Sequence, residues 1–566
     1  MMRPYSTLII ILVILLSSLA LTNAQVEETF INWSYPHYQD NLLIWELKGK
    51  TAMVREDKII LSGLELTYYL QPISPTALAE ATKKGKVLIS ADTGIFKKQQ
   101  QTVSLHENII VRKISEPPDE FDETVLTDVL LINLADKTFS NDALITINRN
   151  DMSAKSKGCK GGLDFTSVSF LSSVETVIQG CNSKSICLGE VFSPKPNIDD
   201  EELNKTPSVI TITSEGPMTV EKINGNPSKK ISQQISFRNK VALNSYSRPL
   251  NSPPRQTNLR AENVDILLDR RENPVTKRNN FYLARISATN NVRIDDSFHS
   301  AACSALTADE TAGLITLKGD DKSLAAITRP LKANNEQADS YINIAAQTMK
   351  IQTERDNILL LGRKELTFSN GSIYNPEPVS STNTISPADT APLTGTPTGP
   401  ANPPARIPTQ IHITADNDGL ISLRENQIHL ENKVRITQWS TTITDSTKPE
   451  LKATIKCDKL LISWNSAKNL LEKLKAEGNV YISSDGSEAW GEIMEWTPLL
   501  SQINLKSPRK VKILHKNSSI DGDEIVITTN PQDTIGNWTN IEIKNKTNGS
   551  IKIAPKEKEE LPEAPK

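Results

Sequence analysis

The side chains able to do chemistry are few and scattered. The six histidines, His37, His106, His299, His412, His429 and His515, show no His-Glu-x-x-His spacing, which sets two imidazoles on one helix face around zinc. Gly158-Cys159-Lys160-Gly161-Gly162 is glycine-rich, but no Gly-Lys-Ser/Thr follows, so it lacks the parts of a phosphate loop. No Gly-x-Ser-x-Gly nucleophile elbow occurs. The acidic pairs Asp295-Asp296 and Asp320-Asp321 have the residue type a glycosidase needs, two facing carboxylates, but turn solvation is the stronger reading. Cys159, Cys181 and Cys187 lie close enough in sequence for one disulfide among them, while Cys303 and Cys457 stand alone. The odd total of five leaves a thiol over unless another chain supplies its partner. These residues predict no catalytic centre, no metal and no cofactor, and the chain is not expected to be an enzyme.

The amino terminus sets the compartment. Arg3 precedes a nearly unbroken apolar run, Leu8–Leu21, followed by Thr22-Asn23-Ala24 with small residues where a signal peptidase cuts. The run is shorter than the ~20 residues of a spanning helix, so residues 1–24 read as a cleaved signal peptide; the alternative is an inner-membrane anchor over 8–21. Net charge is −3 with both signs spread along the chain. Without a basic stripe, no nucleic-acid partner is expected.

Long helical periodicity is missing. Short runs rich in Ile, Leu, Val and Thr alternate with Asn, Asp, Gly, Lys and Ser, which predicts antiparallel all-β architecture. Val125–Leu134 and Ala143–Ile147 are two such runs, with Ala135-Asp-Lys-Thr as the turn between them. Ser466–Lys475 is the strongest helical rival, but Leu474-Lys-Ala476 alternates and favours a strand. Phe192–Pro207 carries prolines and an acidic cluster. Asn375–Pro408 is rich in Pro, Thr and Ser without apolar period, as in a flexible linker.

Two patterns recur. The first is Leu105-His-Glu-Asn-Ile109, Phe237-Arg-Asn-Lys-Val241, Ala288-Thr-Asn-Asn-Val292, Leu430-Glu-Asn-Lys-Val434 and Ala476-Glu-Gly-Asn-Val480. Each copy is followed two residues on by Val111, Leu243, Ile294, Ile436 or Ile482. It reads as a strand end, a tight polar turn tolerant of positive φ, and a new strand. The second is a small residue, an acid, a spacer and an aliphatic: Thr127-Asp-Val-Leu130, Ala261-Glu-Asn-Val264, Cys457-Asp-Lys-Leu460 and Gly522-Asp-Glu-Ile525. Cys457 fills its small-residue slot, which predicts a packing role. Ala91-Asp-Thr-Gly94 and Ala415-Asp-Asn-Asp-Gly419 are related forms.

These patterns resemble the OstA-like lipopolysaccharide-transport family, with Ala476-Glu-Gly478-Asn479-Val480 the nearest copy of its turn. Residues of about 40 to 180 resemble the LptC-type variant, through Trp45–Ala52, Ala91-Asp-Thr-Gly94, Leu105–Val111, Thr127-Asp128, Asn141–Ile145 and Gly158–Asp164. The resemblance implies repeated open β-jellyroll (β-taco) segments whose apolar concave side holds acyl chains, and units that meet end to end across the periplasm. The chain departs from the LptC type in its cleavage-site-like leader, and from simple OstA-like members in its length. The expected division is a signal peptide (1–24), an LptC-like domain (25–190), a linker (191–207), an OstA-like domain (208–374), a second linker (375–408), an OstA-like domain (409–554) and a charged, disordered tail (555–566).

Strand alternation supplies a greasy face without the family, because side chains at i and i+2 share a face. The candidates for a lipid groove are Ile109, Val111, Val292, Ile294, Val434, Ile436, Val480 and Ile482; plain core packing is the simpler role for any one of them. Trp490 and Trp496 are possible groove aromatics. The expected function is a periplasmic component of lipopolysaccharide export in a Gram-negative-type bacterium. Its expected partners are the acyl chains of lipid A, and other transport proteins or further copies of itself at open sheet edges. The alternatives are a structural envelope protein that assembles by its edges without lipid, and a carbohydrate-active enzyme.

Overall fold

The computed structural model describes residues 28–73, 85–114, 123–149, 152–179, 208–223, 232–247, 255–272, 279–296, 299–309, 311–330, 341–353, 355–370, 409–440, 450–465, 470–515, 518–529, 538–544 and 549–552. The leader, both expected linkers, the charged tail, Cys181 and Cys187 lie outside these residues. The chain divides into two compact units, residues 1–183 with 199–288, and residues 184–198 with 289–566.

The first unit contains β1 (Glu28–Gln39), β2 (Leu42–Arg55), β3 (Lys58–Ile73), β4 (Lys86–Lys97), β5 (Thr102–Ile114), β6 (Glu123–Asn133), β7 (Thr138–Arg149), β8 (Met152–Gly162), β9 (Ser167–Gln179), β10 (Ser208–Ser214), β11 (Met218–Ile223), β12 (Ser232–Ser247) and β13 (Arg255–Glu272). The division falls within β14 (Asn279–Asp296). The second unit continues with β15 (Ser300–Asp309), β16 (Leu314–Lys318), β17 (Ala325–Pro330), β18 (Tyr341–Gln352), β19 (Asn357–Asn370), β20 (Thr409–Ala415), β21 (Gly419–Ser422), β22 (Gln427–Ser440), β23 (Glu450–Asn465), β24 (Leu470–Ser484), β25 (Ser487–Thr497), β26 (Gln502–His515), β27 (Ser518–Thr529), β28 (Trp538–Lys544) and β29 (Gly549–Lys552). Among the described residues there is no α-helix. Neighbouring strands are joined by antiparallel ladders, as the all-β expectation requires.

Turn chemistry follows the sequence where the turn is a true hairpin. Between β6 and β7, Asn133 Oδ1 accepts from the amides of Ala135 and Asp136, and Lys137 takes φ 56°. The segment read as strand against a helical rival forms β24, beginning at Leu470. β9 and β10, on either side of residues 191–207, pair from Val209↔Gln179 to Ser214↔Val174. β19 and β20, on either side of 375–408, pair from Lys364↔Ala415 to Asn370↔Thr409.

The first repeat pattern is corrected by the structure. It does not end one strand and begin another; it bends a single strand. Glu107-Asn108, Asn239-Lys240, Asn290-Asn291, Asn432-Lys433 and Gly478-Asn479 each take positive φ, inside β5, β12, β14, β22 and β24 respectively. Both arms of the strand go on pairing with the same neighbour, because the corner inserts one extra residue. His106 faces Val129 and Ile109 faces Thr127; Glu431 faces Lys459 and Val434 faces Cys457. Such a one-residue bulge bends the bulged strand. The positive φ expected of the pattern is present, but a local pattern does not determine whether the chain reverses or bends.

Candidate lipid-binding trough

The second pattern supplies the other half of each corner. Its small residue lies across the ladder from the aliphatic that follows the bend, as in Ile109↔Thr127, Val241↔Ala261 and Val434↔Cys457. An acid on the preceding strand, or in the bend that interrupts it, holds the second corner residue. Asn108 Nδ2 donates to Asp92 Oδ2 at 2.6 Å, and Asn479 Nδ2 donates to Asp458 Oδ2 at 2.7 Å. Lys240 pairs with Glu215 at 2.8 Å and Lys433 with Asp416 at 3.9 Å. Gly478 needs its bare Cα, since a Cβ there would stand 2.6 Å from Asp458 Oδ2.

The bent strands align their inward side chains in rows. In the first unit one row runs Leu47, Leu66, Ile89, Val111, Val125, Ile147, Ala154, Thr176, Ile212, Leu243 and Leu259, each directly opposite the next. In the second unit one row runs Ile344, Leu366, Ile413, Ile436, Ile455, Ile482, Ala489, Ile513 and Ile520. Beyond the corners another runs Ile351, Ile358, Ile421, Ile428, Ile462, Leu474, Trp496, Ile503, Ile527 and Ile541. All these residues are buried. Among the described residues no helix layer covers it, so the apolar face of one arm has the other arm as its partner, and each unit folds as a trough around its own corners.

All eight groove candidates lie buried, at 3% exposure or less. Val434, Ile436, Val480 and Ile482 are brought together on β22 and β24, with Ile455 and Cys457 of β23 between them. Ile109 and Val111 lie in the first unit; Val292 and Ile294 belong to the second. Trp496 is interior, whereas Trp490 packs against Tyr481, with ring centroids 5.5 Å apart.

In the first unit the two arms leave a hollow lined by Ile89, Val111 and Val125 from one arm and Leu130 and Phe139 from the other, with Leu163 and Phe165. At about 10 Å³ it holds no more than a water-sized sphere. The loop after β8 closes it. Leu163 and Phe165 turn inward while Asp164 and Thr166 stay exposed. Asp164 Oδ1 accepts from the Thr166 amide, and Lys113 Nζ donates to the Asp164 carbonyl at 2.8 Å. Val111 was expected here. Lys113, Leu163 and Phe165 were not, although Lys113 sits at the inward parity of Ile109 and Val111.

Buried side chains include three cations and the Asp296 carboxylate. Lys113, Arg149 and Lys364 are buried. Burial pushes the Lys113 ammonium down to about 8, assisted by the nearby Lys222 charge and opposed by Glu123 and Asp164. Burial also lowers Lys364, against the attraction of Asp418 and Asp416. Its ladder partners are the small Ala346 and Ala415, and its ammonium has no hydrogen-bond partner among the described residues. Asp320 is a turn cap, held below the usual carboxylate range by the amides of Lys322 and Ser323. Asp296 Oδ1 accepts the His299 amide at 2.7 Å. Cys159, Cys303 and Cys457 are free, and burial raises each thiol to about 12, which leaves them unreactive.

The fold and the trough define a class: antiparallel sheets bent around an apolar interior, with no helical layer among the described residues. Within that class, residues 73–179, from the end of β3 through β9, match the family described as lipopolysaccharide-assembly, LptC-related, so this part of the chain is similar to that family. The match associates the chain with lipopolysaccharide transport in general. No curated protein matches the chain.

Proposed function

We propose that this chain is a periplasmic lipopolysaccharide-binding component of export to the outer membrane. It holds acyl chains between the arms of its bent sheets and bridges envelope partners through open strand edges. The carrying observation is the unbroken inward rows, which offer apolar side chains strand after strand with no polar interruption larger than Thr176 in the first unit. Burying a methylene gains about 0.8 kcal/mol, so one acyl chain of about a dozen carbons gains on the order of 10 kcal/mol before ordering costs. The hollow is too narrow for a chain as it stands, so loading requires the arms to part, starting where Leu163 and Phe165 plug it. β1, which pairs only with β2 among the described residues, supplies an edge for a neighbouring strand.

The test is site-specific photocrosslinking in cells making lipopolysaccharide. A photoreactive residue at Val111 or Ile482 is expected to give lipid adducts, while one at the outward, 40%-exposed Leu126 gives none. A folded protein with no adduct from either inward position rules out the carrier reading and favours an edge-assembled structural protein.

A further inference from the structure

The hollow ends against positive charge, and that juxtaposition has the chemistry of an amphiphile site. Lys113 lies two residues beyond Val111 on β5, so both side chains share the inward face. Its ammonium is 2.8 Å from the Asp164 carbonyl oxygen and 6.0 Å from the centre of the Phe165 ring, which itself lines the hollow. Lys222 of β11 approaches the same loop, its amide donating to the Thr166 carbonyl at 3.1 Å. The ladder partner of Lys222 is Gln233, whose Oε1 accepts from Arg149 Nη1 at 2.9 Å. Two cations, Lys113 and Lys222, thus flank one loop, with Arg149 one residue removed through Gln233, and the acids beside Lys113 are Glu123, across the ladder, and Asp164.

Two amines crowded at the lip of an apolar cavity repel each other, and the mutual charge of Lys113 and Lys222 is felt strongly enough to lower the Lys113 ammonium. A dianionic oxygen cluster between them removes that repulsion and gains charge-assisted hydrogen bonds. We infer that Lys113 and Lys222, supported by Arg149, form a phosphate-binding site at the mouth of the first unit's trough, which holds the anionic headgroup of an amphiphile whose chains enter the hollow. The inference rests on the carrier reading and adds to it a headgroup subsite. It also ties binding to the plug, because the ammonium that would meet the phosphate is the one already donating to the Asp164 carbonyl.

The test uses the full chain and three probes: bisphosphorylated lipid A in detergent micelles, the same lipid after phosphatase treatment, and inorganic phosphate. Lys113→Gln and Lys222→Gln are each expected to weaken binding of the phosphorylated lipid about tenfold, as the loss of one charge-assisted hydrogen bond would. Both are expected to leave the dephosphorylated lipid unchanged, and Lys113→Arg restores most of the loss. Because Lys113→Gln also frees the plug, acetylation of the wild-type lysines read by mass spectrometry is the second measure. The phosphorylated lipid is expected to shield Lys113 and Lys222 more than the dephosphorylated lipid does. Equal losses for both lipids, or equal shielding, overturn the headgroup site while leaving the carrier reading intact. Shielding by inorganic phosphate but by neither lipid overturns the assignment to a lipid headgroup. If neither lipid binds the wild type, the carrier reading fails and the subsite with it.

Discussion

Lys364 places a primary amine where the alternation of β19 calls for an apolar residue. The backbone makes room for it with Ala346 and Ala415 across the ladder and with Gly419, whose missing side chain leaves space for the lysine stem. An amine buried without a hydrogen bond costs about 1–3 kcal/mol, so Lys364→Met is expected to stabilise the second unit by that order, measured by chemical denaturation. The pH dependence has a definite sign. Burial lowers the folded value from the ordinary 10.5, so the penalty on the charged amine is fully present below the folded value. Between the two values the folded state has already released a proton that the unfolded state still holds, so stability rises with pH. Lys364→Met should flatten that rise. Lys113 obeys the same rule from about 8 upward. In addition, affinity for a phosphorylated lipid should fall as pH passes about 8, which titration calorimetry across pH 7–9.5 would show; a constant affinity would exclude an ammonium at the headgroup.

At the scale of the element, the corner is the unit of construction. The spacing of the two patterns reports it: Leu105 and Ile109 point inward four residues apart, while on the next strand Thr127 and Leu130 do so three apart. Period-two parity carries through the bend from Leu105 to Ile109, with Glu107 turned out, but shifts between Thr127 and Leu130, and the unequal spacings register the extra residue on the bent strand. Gly478→Ala should test the device, because φ +74° and a 2.6 Å approach to Asp458 Oδ2 both oppose a Cβ. A loss of about 1–2 kcal/mol is expected from the left-handed backbone alone. Gly486→Ala, at φ +75° with nothing near its Cβ, isolates that backbone part, and the difference between the two variants measures the corner contact.

At the scale of the whole molecule, ladders rather than sequence neighbours decide what holds together. β19 pairs with β20 and with β21, across residues 375–408, and Leu366↔Ile413 belongs to a continuous buried row. Cutting the chain at a protease site engineered between Asn375 and Pro408 is therefore expected to leave two fragments that co-elute in native size exclusion and separate only in denaturant. Fragments that part under native conditions would show that the row does not bind the segments. The same reasoning applies to β9 and β10 across 191–207, where Ile212 sits between Thr176 and Leu243. The described residues divide within β14, between Ala288 and Thr289, and not at either proline-rich segment.

How much was readable from the sequence follows from the range of each interaction. Strand content, turn residues, positive-φ pairs and the small-residue slot of Cys457 are local properties, fixed by Cβ sterics and alternation within a few residues, and the sequence alone determined them. The LptC-like part was equally legible, because its motifs fall in order along one stretch. Whether Asn239-Lys240 reverses the chain or only bends it depends on which strands lie alongside, a matter of pairing that no window of residues contains. The closing of the hollow by Leu163 and Phe165, the meeting of Lys113 with Asp164 some 51 residues away, and the isolation of Lys364 are long-range consequences of that pairing. Only the tertiary structure could decide them, since the energy of a buried charge depends on what the rest of the chain packs around it.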